Sequence, residues 1–213
     1  MRPALLLALL LCSSSVRADE SIEPEADFRH FKDYAWFALG AASGFVGHEL
    51  GHVVTDFMTG HHPTFRKTNY GGIPFFAIQP CCGQLSHAAQ YEIASAGFAV
   101  GDISSELILQ LAPRLRSRRA GFLKGVLVFD SALALGYAIT GFLDARWPGL
   151  APAQSDITSM ARAYNVPAWQ VGIVLAVPAI VDLYRYFAPR SVWAPWVSLS
   201  AKTMMVGMVL PLF

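Results

Sequence analysis

Residues 45–54 read FVGHELGHVV, an apolar stretch that carries His48, Glu49 and His52. On a helix, positions 48 and 52 lie one turn apart on one face, so their imidazoles can hold a single Zn²⁺. Glu49 then projects beside them as a general base. HExxH on a helix is a pattern of zinc-dependent peptide hydrolysis, with a metal-activated water as the nucleophile. An ionisable side chain in hydrocarbon costs about 2.5–3.5 kcal/mol on insertion scales. A shared metal changes that arithmetic, because it holds both imidazoles neutral and gives the carboxylate a polar neighbour.

The rest of the chain has the composition of a membrane protein. Of its 213 residues, 54% are hydrophobic and 15% charged, against about 25% charged in soluble domains. Mean hydropathy is +0.41. A net charge of +1 gives no reason to expect a nucleic-acid partner, and no basic helix or Gly-rich phosphate loop occurs. The start, MRPALLLALLLCSSSVRADE, reads as a signal peptide over residues 1–18, cut after Ala18, with an uncleaved anchor as the alternative. An acidic extramembrane segment follows over residues 19–33, and residues 34–213 form one membrane-embedded unit. Adjacent Cys81 and Cys82 are expected to be free thiols, since neighbouring cysteines make a strained disulfide.

Apolar stretches at about 34–59, 86–111, 120–143, 167–187 and 192–212 predict an all-α membrane protein, a bundle of about five transmembrane helices. Aromatic residues at the stretch ends, Trp147, Trp169 and Trp193 among them, suit the membrane interface. Between the first two stretches, short β-prone runs flank Gly71-Gly72 and predict a hairpin. The later connection offers Ser155-Asp156 as the start of a short helix ending near Tyr164. A cleaved signal peptide places Asp19 outside, which also puts the basic loop PRLRSRRAGFLKG outside, against the positive-inside rule. Either orientation puts the two long connections on one face, because two crossings separate them. The Asp156 connection can therefore approach the histidines.

FVGHELGHVV resembles the signature of the site-2 protease family of intramembrane zinc metallopeptidases. ASAGFAVGD, with Gly97 and Gly101 as GxxxG, is similar to the small-residue motif of that family's next core helix; helix packing explains the same spacing. The Gly-Gly hairpin resembles the family's membrane-associated hairpin, on whose edge a substrate strand could pair. The resemblance implies a third zinc ligand from an Asp-Gly pair, and none occurs in this chain. Asp156 is the first candidate, although Ile157 stands where the family has Gly and Asp156 could simply cap its helix. Asp130, in VLVFDSALAL, is the second; Asp102, Asp144, Glu92 and Glu106 follow. His61, His62 and His87 read as interfacial polar residues.

The expected activity is that of an integral, multi-pass zinc metallopeptidase of a bacterial inner membrane, acting on membrane-embedded or membrane-adjacent peptide substrates. His48, His52 and Asp156 would hold the metal and Glu49 would be catalytic. The alternative from a different class is a non-catalytic zinc-binding membrane protein that holds client helices. An open fourth metal position separates the first from the second.

Overall fold

A computed structural model of the chain describes residues 28–70, 73–81, 85–147 and 155–209. The expected signal peptide, residues 19–27 of the acidic segment, and the Gly71-Gly72 turn lie outside the described residues. Among the described residues the fold is mostly helical: α1 (Phe31–Met58), a hairpin of β1 (His62–Tyr70) and β2 (Ile73–Cys81), α2 (His87–Leu111), a 3₁₀ turn (Leu115–Ser117), α3 (Gly121–Arg146), α4 (Asp156–Ala163), α5 (Ala168–Phe187) and α6 (Ala194–Val209). Helices occupy all five expected apolar stretches, to within three residues at each described end, and the hairpin and short helix stand where expected.

Local chemistry sets the boundaries that matter for the site. At the end of α1 the amide of His61 donates to the Asp56 carbonyl (2.8 Å) and that of Gly60 to Phe57 (3.1 Å). Gly60 sits at φ +79°, so this is a Schellman motif, with glycine at the left-handed position. It directs the chain at once into β1, which pairs antiparallel with β2 from His62↔Cys81 to Tyr70↔Ile73. Helix α2 opens on Ser86, whose Oγ accepts from the Ala89 amide at 3.1 Å.

Packing follows a small-residue logic on one seam and a large-residue logic on another. Helices α1 and α3 approach so closely that a Cβ at Gly40 would strike the Phe122 carbonyl, and one at Gly125 the Phe37 carbonyl; glycine permits this contact. Elsewhere Tyr91, Phe98, Ile157, Met160, Leu175 and Met205 interlock where α2, α4, α5 and α6 meet. Ile157 is fully buried, and its Cδ1 lies where a Cβ on Gly141 would come within 2.7 Å. The residue that departs from the Asp-Gly pattern therefore plugs α4 into the core.

Beside the apolar core, polar groups are buried and large apolar side chains are exposed. Buried positions include Glu106, Lys124, Asp182, Arg185 and Lys202, while Leu39, Val46, Leu50, Val54 and Phe57 line an exposed stripe of α1. Ile173, Val177 and Ile180 do the same on α5. Helices α3 and α5 are long and apolar enough to cross a membrane. Helices α1 and α2 are longer than α5 but carry ionisable residues: His48, Glu49, His52 and Asp56 in the first, Glu92, Asp102 and Glu106 in the second.

One expectation is corrected. Cys81 is disulfide-bonded, so the reading of two free thiols fails; the chain's other cysteines, Cys12 and Cys82, lie outside the described residues.

Truncating Ile157 tests whether α4 is held by burial. Ile157→Ala should destabilise the fold by about 2–5 kcal/mol, read as a lowered thermal midpoint in detergent. An unchanged midpoint would show that α4 is fixed by something else.

Candidate metal centre

Helix α1 presents Gly40, Gly44, His48, Gly51, His52 and Asp56 on its buried side, directly opposite the exposed apolar stripe. The small residues let neighbouring helices close in, so the histidines between them reach a protein interior. A Cβ at Gly97 of α2 would lie 2.5 Å from His48 Nδ1 and 2.6 Å from its Nε2. The GxxxG glycine thus forms a slot for the imidazole, while Gly51 packs against the α2 backbone at Ala96. The Phe98 ring stands edge-on to His48, centroids 5.2 Å apart.

His52 Nδ1 lies 2.6 Å from the Ile93 carbonyl oxygen. A carbonyl can only accept, so Nδ1 donates and the neutral ring keeps its lone pair on Nε2. That Nε2 faces His48 Nε2 at 3.2 Å. Asp156 Oδ2 lies 3.3 Å from His48 Nε2 and 3.6 Å from His52 Nε2. Three donor atoms therefore form a near-equilateral triangle. Bonds of about 2.0 Å to a tetrahedral Zn²⁺ imply ligand–ligand edges of about 3.3 Å, so the donor set fits that ion in element type and in spacing. Among the described residues, this is the one group of three or more His, Cys, Asp or Glu donors close enough to share a metal.

The position of Asp156 is a property of α4. Its N-cap is Ser155, which leaves the Asp156 carboxylate free to turn toward α1 instead of capping. His87 Nδ1 donates to the Ala163 carbonyl (2.7 Å) and Gln90 Nε2 to that of Ser159 (3.2 Å), tying α4 to the start of α2. His87, expected as an interfacial residue, is thus a tether. Burial alone would raise the Asp156 carboxyl, but positive charge on the adjacent His52 and His48 rings, when they are protonated, outweighs it and holds the group well below the usual carboxylate range. A metal shared with neutral imidazoles would put positive charge in the same place and keep the carboxylate ionised, the form in which it binds.

The remaining candidates sit elsewhere. Asp130 accepts from Ser104 Oγ at 2.5 Å, and Glu106 is paired with Arg185 and Lys202. Neither these nor Asp102, Asp144 and Glu92 join the donor triangle. Glu49 is half-buried on α1, about 100° round the helix from His48 and about 60° from His52, beside the triangle. His61 contacts Thr59 Oγ1 at 3.1 Å and is not a member.

Sequence reasoning passed over Asp56. It lies one turn beyond His52 on the same side, is fully buried, and neither carboxylate oxygen has a hydrogen-bond partner among the described residues. The i+4 spacing from His52 was the available signal. The buried quartet Glu106, Asp182, Arg185 and Lys202 was also missed, because its members come from three helices distant in sequence.

Comparison of the chain with protein-family models, with curated proteins and with solved structures finds no match in any of the three.

Ligand assignment is checked by metal analysis of the purified protein. Asp156→Ala should lower bound zinc well below one equivalent, and Asp130→Ala should leave it unchanged; the reverse pattern overturns the assignment. Gly97→Ala should weaken zinc retention during dialysis against chelator while far-UV circular dichroism stays helical, because the added methyl displaces the His48 ring.

Proposed function

We propose that the protein is an integral membrane zinc metallopeptidase resembling site-2 proteases. The observation that carries this reading is the 3.2, 3.3 and 3.6 Å triangle of His48 Nε2, His52 Nε2 and Asp156 Oδ2. It assembles an HExxH pair with a carboxylate 104 positions beyond His52, counting from 52 to 156. Structural zinc sites close with four protein ligands, whereas catalytic sites keep a position open. No fourth His, Cys, Asp or Glu joins the triangle among the described residues, which favours the catalytic reading over the helix-holding alternative.

Exposed apolar stripes beside buried charges support a multi-pass bundle of about five membrane helices. Long exposed apolar stripes on α1 and α5 suit lipid contact far better than water. The same distribution places the HExxH pair in the bundle interior, and the family resemblance suggests a bacterial inner membrane.

When bound, Zn²⁺ would supply Lewis acidity, lowering the pKa of water and polarising a carbonyl. The chain's own residues do the rest. His48 and His52 enter as neutral Nε2 donors, the second fixed by Ile93, and Asp156 enters as the anionic donor. Glu49 takes a proton from water at the open side of the triangle and returns it to the leaving nitrogen, a role worth about 10²–10⁴ in rate. Phe98 and the slot at Gly97 hold the His48 ring in one orientation. A substrate must present an extended backbone, since a helix hides its carbonyls. The β1–β2 hairpin begins one short turn after α1, and a two-stranded sheet offers edges on which such a segment can pair.

Glu49→Gln should retain zinc and lose at least about 10²-fold in cleavage of a membrane-helix reporter, measured with reconstituted protein. Chelator should abolish cleavage by the unmodified protein, and Zn²⁺ should restore it. Undiminished cleavage by Glu49→Gln would sink the mechanism.

A further inference from the structure

The His48 ring also forms part of the wall of a cavity bounded by α2, α3 and α5. It is lined by Gly101, Asp102, Ser105, Asp130 and Ser131, with Asp182 at its far wall, and offers ≈ 20 Å³ for the centres of water-sized occupants. That is room for about one such particle.

The ion pairs beside this cavity leave two acidic side chains over. On one side, Arg185 Nη1 pairs with Glu106 Oε2 at 2.6 Å, and Lys202 Nζ pairs with Asp182 Oδ2 at 2.6 Å and Glu106 Oε2 at 3.0 Å. Ser198 Oγ donates within the same cluster, 2.8 Å from Asp182 Oδ1 and 3.0 Å from Glu106 Oε2. These two acids and two bases neutralise one another. Asp102 and Asp130 remain, and neither takes part in an ion pair among the described residues. Asp130 has a single hydroxyl donor, Ser104 Oγ.

A second observation points into the same space. Ser131 is 4% exposed and lines the cavity, yet its Oγ has no hydrogen-bond partner among the described residues. A buried hydroxyl left unpaired costs about 1–3 kcal/mol. Two carboxyl groups and one hydroxyl on residues that line a space for one particle offer an all-oxygen donor set, the kind that hard cations take. The donors are too dispersed for a tightly held divalent ion: the three cavity aspartates do not form a close triple of the kind His48, His52 and Asp156 make.

We propose that this cavity binds one small monovalent cation of the sodium class, held by the carboxylates of Asp102 and Asp130 and by Ser131 Oγ. The site is separate from the zinc ligands, although His48 forms part of its wall, and it does not depend on the peptidase reading. Its role is to hold α2 and α3 together at the centre of the bundle.

The test is thermal unfolding of the purified full-length protein in detergent, titrated with NaCl, KCl, CaCl₂ or choline chloride at constant ionic strength. Sodium should raise the midpoint saturably, by about 5 °C at a hundredfold excess over Kd, with no such rise in potassium or choline. Asp102→Asn, Asp130→Asn and Ser131→Ala should each lose the sodium response while keeping bound zinc, and Glu49→Gln should keep it. If a variant does not fold, equilibrium binding of ²²Na⁺ to the unmodified protein decides: one site, displaced by unlabelled Na⁺ and not by K⁺. Equal responses to all salts, a response to Ca²⁺ alone, no ²²Na⁺ binding, or a sodium response retained by both aspartate variants would each overturn the proposal. The peptidase reading is judged separately, by cleavage.

Discussion

A carboxylate or imidazole withdrawn from water is tolerated only where another group compensates it, and this fold is organised around that requirement. Its outer surface is lined by leucine, valine and phenylalanine while its interior holds Glu106, Asp182, Arg185, Lys202, His48 and His52. A soluble domain gains stability by hiding its apolar residues from water. Here polar groups also meet in the packed centre beside an apolar core, so their pairing constrains which helix faces turn inward. The quartet of two acids and two bases ties α2, α5 and α6 through contacts of 2.6–3.0 Å. Removing one member would leave its partner charged and unpaired, which is far more destabilising than never having had the pair.

The donor triangle obeys the same rule with a different outcome. Two Nε2 atoms 3.2 Å apart would repel each other if both offered lone pairs, unless a proton or a metal lay between them. Asp156 brings the negative charge, and the Ile93 carbonyl fixes which nitrogen of His52 is free. The helices that create this conflict also hold it in place: Gly97 gives the His48 ring a slot, and Ile157 drives α4 into the core so that the preceding carboxylate meets the histidines. Ile157 also explains how an Asp without a following Gly can serve. The backbone of α4 is set by side-chain burial and the two tethers from His87 and Gln90.

Much of this was legible from sequence, for identifiable reasons. HELGH carries its own geometry, because i and i+4 share a helix face wherever the helix lies. The five helices followed from apolar length, and the approach of Asp156 followed from parity, since two long helices between the connections return the chain to the same end of the bundle. What could not be read were coincidences between helices far apart in the chain. Asp182 and Lys202 look like isolated charges until α5 and α6 pack against Glu106. Cys81 gave a misleading signal, because geometry between neighbouring cysteines says nothing about the bond the fold makes. Asp56 was within reach, and attention to HExxH ended the reading of that stripe one turn early.

The GxxxG segment shows how a packing motif becomes part of a functional site. In a membrane, close approach of two helices is favoured by dispersion and by weak backbone contacts, and Gly51 against the α2 backbone is that kind of contact. One turn away the same narrow gap cannot be filled by backbone, because His48 occupies it. Further along α2, Gly101 has the Asp130 carboxyl 3.4 Å from where its Cβ would be. The two glycines of a single motif therefore sit against two different side chains, an imidazole of the donor triangle and a carboxylate of the neighbouring cavity. A larger residue at either place would move a charged or metal-ligating group, so the motif constrains the positions of polar groups as well as the distance between helices.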